Sequence, residues 1–179
     1  MATPPTFSAG AVLTAAQMNA VGLWLVKSQT IGTTVSSVQV TAAFSSDYDN
    51  YRIIISGGAS STAAFLTLVF GATTTGYYAA YSGVAYSTAA ASLAADNNAA
   101  SFTQPGVAWG ATGGLQMALD VQGPNLATYT SIQGGYPSGS SARMITGYLA
   151  NTTQYTAFTI APSSGTLTGG EIRVYGYRN

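Results

Sequence analysis

The stretch Leu115-Gln116-Met117-Ala118-Leu119-Asp120-Val121 places a large apolar side chain at every second position. This alternation is typical of a β-strand with one buried face, because successive side chains of a strand point to opposite sides of the sheet. Comparable short runs, many of them rich in β-branched or aromatic residues, recur through most of the chain after Gly22. They are Leu23–Val26, Val38–Thr41, Tyr51–Ile55, Phe65–Phe70, Tyr129–Ile132, Arg143–Thr146, Tyr155–Ile160 and Glu171–Tyr175.

Most of these runs are bounded by clusters of turn-forming residues such as Gly57-Gly58, Gly123-Pro124-Asn125 and Gly134-Gly135. No segment between them has the length and periodicity of a crossover helix, which a parallel sheet would need. Many short strands separated by turns are typical of an antiparallel sandwich or barrel. The sequence therefore predicts an all-β fold, and we expect an antiparallel β-sandwich.

Two regions differ from the strand pattern. The segment from Tyr77 to Asn98 is rich in Ala, Ser and Tyr, and we interpret it as a loose helical turn or a long loop. The segment from Phe102 to Gly114 places Trp109 among glycines. Long loops on a β scaffold are often functional, so we expect both regions to face outward.

The N-terminal residues predict an arm that ends in a short helix. Pro4-Pro5 favours an extended backbone, whereas Thr14 and Gln17 have the spacing of a capping box and Gly22 is placed to end the helix. A helix of two turns is unstable alone, so it packs either on its own domain or on a neighbouring protein. We divide the chain into an anchoring arm, residues 1–22, and a sandwich domain, residues 23–179. The predicted anchoring residues are Pro4, Pro5, Phe7, Leu13 and Met18.

The composition argues against most catalytic chemistry. The chain has no His and no Cys, and only 6% of its residues are charged, about a quarter of the usual share. General bases near neutral pH, thiolate nucleophiles and zinc sites are therefore lacking, and we expect neither an enzyme nor a cofactor. The net charge of zero disfavours nucleic acid as a partner and favours association with other protein chains.

The few acidic residues leave two chemical alternatives open. Asp47 and Asp49 are close enough in sequence to hold a cation weakly, but Asp and Asn here also fit a turn between two strands. Asp120 and Glu171 lie on separate predicted strands, and as a pair they would serve a glycosidase if they met in space. We expect the turn, and we expect Asp120 to face solvent.

Aromatic residues are the candidate contacts of the outward-facing loops. Tyrosine combines a large ring with a hydroxyl group, which suits a recognition surface or a subunit interface. Either a sugar ring or a partner chain would stack on such residues. The candidate receptor or interface contacts are Tyr77, Tyr78, Tyr81, Tyr86 and Trp109.

Three segments resemble a known group of proteins. The opening stretch Thr3–Asn19, the internal stretch Ala43–Ile53 and the ending Gly169–Asn179 are similar to segments of tailed-bacteriophage virion proteins, commonly described as minor tail or tail-fibre proteins. The middle of the chain, roughly residues 77–141, matches this group only in character. The resemblance does not separate tail fibres from head decoration or head-fibre proteins.

The resemblance implies a jelly-roll-like domain that assembles as a homotrimer or another symmetric oligomer. It also implies that the arm mounts the domain on neighbouring virion proteins, after synthesis in the host cytoplasm, and that the domain contacts the host surface, possible receptors being glycans. The alternatives are a capsid decoration protein that stiffens the head and a carbohydrate-binding module. The N-terminal residues lack a charged signal region and are too polar for a membrane span, so we expect no membrane insertion.

Overall fold

The computed structural model describes Gly10, Val12 and residues 22–177, and these residues form fourteen strands and one short helix. The strands are β1 Leu23–Thr30, β2 Val38–Val40, β3 Asn50–Ser56, β4 Ala59–Ser60, β5 Ala63–Phe70, β6 Tyr77–Ala85, β7 Ala91–Ala99, β8 Phe102–Trp109, β9 Leu115–Gln122, β10 Thr130–Ser138, β11 Ser141–Leu149, β12 Phe158–Pro162, β13 Leu167–Thr168 and β14 Glu171–Tyr177. The helix, α1, is Gly110–Gly113. The arm residues Pro4, Pro5, Phe7, Leu13 and Met18, and the helix predicted there, lie outside the described residues.

Two antiparallel sheets share the strand β9. The larger sheet has the order β1-β14-β3-β9-β10-β11-β6-β7, and the smaller has the order β2-β12-β5-β8. They join where Leu115 and Gln116 at the start of β9 pair with Ala108 and Val107 of β8. The sheets pack as a sandwich, and the predicted all-β antiparallel fold is confirmed.

The predicted strand runs lie within strands to within one residue, except that the first half of Tyr155–Ile160 lies outside β12. The interpretation of residues 77–98 was wrong. They form the hairpin of β6 and β7, paired from Tyr77↔Ala99 to Val84↔Ala91. The segment from Phe102 to Gly114 is also mostly a strand, β8, followed by α1. In β6 the buried positions alternate as Tyr77, Ala79 and Tyr81. The alternation of a strand is therefore there, but its buried positions hold small and aromatic residues instead of β-branched ones.

The core lies between the two sheets, and aromatic rings connect them. Phe44, in the connection between β2 and β3, lies with its ring centre 4.9 Å from that of Tyr51 on the larger sheet. On the other side its ring centre is 5.6 Å from that of Phe158 and 5.8 Å from that of Phe70, both on the smaller sheet. Each such pair adds about 0.5–1.5 kcal/mol to the stabilisation from burial alone. The Phe44 cluster therefore holds the two layers together.

Tyr77 is a buried tyrosine whose hydroxyl group is fully used. It accepts a hydrogen bond from the backbone N–H of Phe70 (2.8 Å) and donates to the carbonyl of Thr73 (3.2 Å). Its ring meets that of Phe102 edge to face, with centres 4.9 Å apart. Burial raises the pKa of Tyr77 to about 12, because the phenolate would lose its hydration inside the sandwich.

Replacing Tyr77 by Phe is expected to destabilise the fold by about 1–3 kcal/mol, because the buried N–H of Phe70 loses its acceptor. Urea unfolding followed by circular dichroism measures the loss. Tyr78→Phe is the matched control, since Tyr78 follows directly and its hydroxyl makes no hydrogen bond with the described residues. Equal stability of the two variants would contradict this role.

The stability of the wild-type protein is expected to fall in strong alkali. The pKa of Tyr77 is higher in the folded protein than the value of about 10 of an unfolded chain. Its contribution is therefore fully present below pH 10 and is lost as the pH rises toward 12. Urea midpoints measured from pH 8 to pH 12 should fall less steeply above pH 10 in Tyr77→Phe than in the wild type, and parallel curves would be the contrary result.

Candidate interaction surface

The outer face of the larger sheet divides into two halves of different chemistry. The outward-facing side chains are those that alternate with the buried core residues along each strand. We call the outer faces of β10, β11, β6 and β7 the uncharged half, and those of β9, β3, β14 and β1 the charged half. The uncharged half consists of Ser131, Gln133, Gly135, Pro137, Ala142, Met144, Thr146, Tyr148, Tyr78, Ala80, Ser82, Val84, Ala91, Leu93 and Ala95.

The uncharged half exposes large apolar side chains in register. Met144 of β11 lies opposite Ser82 of β6, which lies opposite Leu93 of β7. Leu93 is 82% exposed and Met144 is 66% exposed. With Ala80 and Thr146 they line a shallow depression of about 440 Å³. A contiguous exposed apolar patch on a soluble protein marks an interaction site more often than an isolated apolar residue does.

A tyrosine ladder borders this patch at one end of the sheet. The rings of Tyr78 and Tyr148 stack with centres 5.3 Å apart and planes 14° apart, and Tyr129 stacks on the other side of Tyr148 at 5.8 Å and 9°. Both faces of the Tyr148 ring are therefore covered by neighbouring rings. The ladder offers hydroxyl groups and ring edges to a partner, together with the outer ring faces of its two ends.

The structure separates the aromatic residues that the sequence grouped together. Tyr77 and Tyr81 are buried, with 0% and 2% of their surfaces exposed, so proposing them as receptor or interface contacts was wrong. Tyr78 is half-buried in the ladder, and Tyr86 is exposed in the turn after β6. Trp109 is half-buried at the end of β8, where it packs against Gly113 and Gly139.

Sequence reasoning missed the most exposed apolar residues of the surface. Leu93 lies among alanines, and Met144 sits in a run that looks like an ordinary strand. Only the alternation of Leu93 and Met144 with buried residues such as Ile145 marks them as outward-facing. This alternation can be recognised only when the strand boundaries and the register are known, and the sequence pattern does not specify them for β7.

The charged half carries two polar clusters. Tyr177 donates a hydrogen bond to Asp120 Oδ1 (2.6 Å), and Arg52 Nη1 lies 3.4 Å from both oxygens of the same carboxylate. Burial and the hydrogen bond to Asp120 raise the pKa of Tyr177. In the second cluster Glu171 accepts hydrogen bonds from Ser28 and Arg173, and the Ser28 hydroxyl is the main cause that lowers the pKa of Glu171.

The register of the sheet keeps Asp120 and Glu171 apart. Asp120 lies opposite Arg52, and Arg52 lies opposite Tyr175. Glu171 is four residues before Tyr175, or about 13 Å along the strand, and β9 and β14 are two strand spacings apart, which gives a separation of about 16 Å. The carboxyl pairs of glycosidases are at most about 9.5 Å apart, so the geometry excludes this pair as a glycosidase site.

The acidic segment before β3 forms a turn. The hydroxyl of Ser45 donates to the carboxylate of Asp47 (3.1 Å) and accepts from the Asp47 N–H (3.3 Å). A serine hydroxyl that accepts from the backbone N–H two residues later is typical of a turn. Within residues 22–177, no three acidic, His or Cys residues come together as a metal site, and no described helix has the length and apolarity to cross a membrane.

No protein-family model, curated protein or solved structure matches this chain.

Asp96 is the buried group that positions β7, and its removal is expected to cost about 2–3 kcal/mol. Its carboxylate accepts hydrogen bonds from the hydroxyl of Tyr81 and from the backbone N–H (2.9 Å) and hydroxyl (2.7 Å) of Thr103. Asp96→Ala removes the acceptor of the Tyr81 and Thr103 hydroxyls, while the Thr103 N–H keeps only the Tyr81 oxygen (2.9 Å). Urea unfolding measures the loss.

The exposed Asp47 provides the control for this measurement. Asp47→Ala should remain within about 0.5 kcal/mol of the wild type, as is usual for a surface substitution. If Asp96→Ala were equally well tolerated, the hydrogen bonds of Asp96 would not be what holds β7 in place.

Proposed function

We propose that the protein is a non-enzymatic structural subunit of a bacteriophage virion, a tail-fibre or minor tail component that works as a symmetric oligomer, such as a homotrimer. The observation that carries the proposal is the uncharged half, where Leu93, Met144 and Val84 are exposed on a regular sheet. The similarity of three segments to phage virion proteins supports the virion as the setting. The capsid decoration protein is the alternative setting for the same surface.

The size of the uncharged half supports self-association. Four strands about 4.8 Å apart, with outward side chains over about 25 Å of strand, give a flat area of about 500 Å². The side chains that stand up from the sheet add accessible surface to this figure. Stable interfaces bury about 800 Å² on each partner. The uncharged half and its border together therefore supply much of the area that one subunit must bury.

The charge distribution also favours the uncharged half as the subunit interface. Two copies of the uncharged half bury no ionic group when they meet, so association avoids the several kcal/mol that desolvation of an ion costs. The ion pairs Arg52–Asp120 and Arg173–Glu171 lie on the charged half. The chain has no net charge, so sister subunits do not repel one another.

The strand β7 extends this surface to the edge of the sheet. Within the described residues β7 pairs with β6 on one side, and its other side bears no strand. Its sequence, Ala91 to Ala99, contains neither Pro nor Lys, the residues that commonly protect an exposed edge from pairing with another chain. A sister subunit that covers β7 would satisfy its outward backbone groups.

The anchoring arm is connected at one defined end of the sandwich. Leu23, the first strand residue, is the register partner of Tyr177, the last. The arm, residues 1–22, is proposed to dock on a neighbouring virion protein from this end of the larger sheet. The uncharged half lies several strands away from β1, the strand that the arm precedes in the chain.

Leu93→Asp is expected to disrupt the oligomer, because it places a charge within the proposed interface, at its most exposed apolar side chain. Light scattering coupled to size-exclusion chromatography should show an oligomer for the wild type and a monomer for the variant, with the dissociation constant raised at least about 30-fold.

Leu25→Asp is the matched control, since Leu25 is an exposed leucine on the charged half of the same sheet, 55% exposed. It should assemble like the wild type. A wild-type chain that stays monomeric at high concentration, or equal assembly of Leu93→Asp and Leu25→Asp, would overturn the proposal.

Deletion of residues 2–22 should leave a folded domain that no longer joins the particle. Circular dichroism of the truncated protein tests the fold, and immunoblots of purified particles test incorporation. Normal incorporation of the truncated chain would refute the anchoring role. Antibody labelling of intact particles decides between tail and head, and signal on the head would favour the capsid decoration protein.

A further inference from the structure

A second open cavity of about 300 Å³, as shallow as the depression beside Leu93 and Met144, lies at the border between the two halves of the outer face. Its volume is near the lower end of the range of about 300–1,000 Å³ for small-molecule sites. The register places its lining residues side by side on neighbouring strands, since Gln122 is opposite both Asn50 and Ser131, and Asn50 is opposite Tyr177. The lining side chains that bear polar groups are Asn50, Asp120, Gln122, Gln133 and Tyr177.

The amide groups of this cavity are available to a ligand. Asn50 and Gln133 make no side-chain hydrogen bond with the described residues. Gln122 accepts one hydrogen bond through Oε1 from Ser131 (2.9 Å), which leaves its amide N–H groups to donate. Each amide offers both donors and an acceptor. A ligand with neighbouring hydroxyl groups, each of which both donates and accepts, matches this set.

The cavity carries no uncompensated charge from its lining. The carboxylate of Asp120 is paired with Arg52 and accepts from Tyr177, yet its two oxygens have acceptor positions beyond these two partners. Arg52 is engaged with this carboxylate, so among the described residues the lining offers no free cation for an anionic ligand. An anion would meet Asp120 directly, whereas a neutral hydroxyl group can donate to it.

The phenol of Tyr177 is held in place by its hydrogen bond to Asp120, and its half-buried ring lines the cavity beside the amides. A fixed aromatic ring offers apolar area at a low cost in conformational entropy. The C–H groups of a sugar ring are suited to such a surface while its hydroxyl groups reach the amides. The combination of one ring, three amides and one carboxylate is therefore suited to a carbohydrate.

We propose that this cavity is a binding subsite for one neutral sugar unit of a glycan, with Asn50, Gln122, Gln133 and Asp120 as its hydrogen-bonding residues and Tyr177 as its ring contact. All of these residues belong to one chain, so the subsite does not require the oligomer. Tyr86 and Trp109, the candidate receptor contacts from the sequence, do not line the cavity.

The test is a glycan array that carries neutral, sialylated and sulfated oligosaccharides, probed with the purified full-length chain. Binding to neutral glycans is expected, and the best of them is then titrated calorimetrically. The double variant Asn50→Ala/Gln133→Ala should weaken this binding at least tenfold. Because neither side chain bonds to the rest of the described structure, the variant should keep the wild-type unfolding curve. Gln133 also belongs to the uncharged half, so binding is compared at a protein concentration at which wild type and variant have the same oligomeric mass.

The matched control is Gln39→Ala/Asn97→Ala, which removes one exposed Gln and one exposed Asn far from the cavity lining. It should bind like the wild type. The proposal is overturned if no neutral glycan is retained, if only acidic glycans bind, or if both double variants bind equally. Light scattering on the same samples reports self-association separately, so the failure of one proposal is distinguishable from the failure of the other.

Discussion

The register of β9 is the constraint on which the rest of the structure depends. This strand pairs with β3 on the larger sheet, with β10 toward the hairpins and with β8 of the smaller sheet. Its odd-numbered residues, from Leu115 to Val121, are buried between the layers. A slip of one residue would turn these side chains to solvent and bring Asp120 into the core. The burial of this apolar set therefore fixes the positions of the strands on both sides.

The same register produces the division of the outer face. Asp120 faces outward, where Arg52 and Tyr177 of the neighbouring strands reach it. Beyond β10 the outward positions are occupied by small, polar uncharged or apolar residues. The uncharged half has no ionic group on its outer face, because Asp96 of β7 and Arg143 of β11 point inward and bond to β8. We propose that sister subunits cover this half, while the border between the halves holds the sugar subsite.

Sequence reasoning could predict the strands whose alternation uses large apolar residues, such as β3 and β9, because burial of one face dictates that pattern. It could not predict β6 and β7, since Ala79 and Ala94 bury little area and alanine is also a good helix former. The candidate sites were harder to predict, because Arg52, Asp120 and Tyr177 are distant in sequence and only strand order brings them together. The burial of Tyr77 and Tyr81 was not visible because the alanine-rich segment around them looked like a loop.

Oxidation of methionine provides the most direct test of whether the uncharged half is covered. In a single chain Met144 is 66% exposed and Met117 is buried, so a mild oxidant should modify Met144 readily and spare Met117. The account predicts that Met144 becomes protected as the protein concentration rises and the oligomer forms, when peptide mass spectrometry follows each residue. Rapid oxidation of Met144 at every concentration would contradict the claim that sister subunits cover this face.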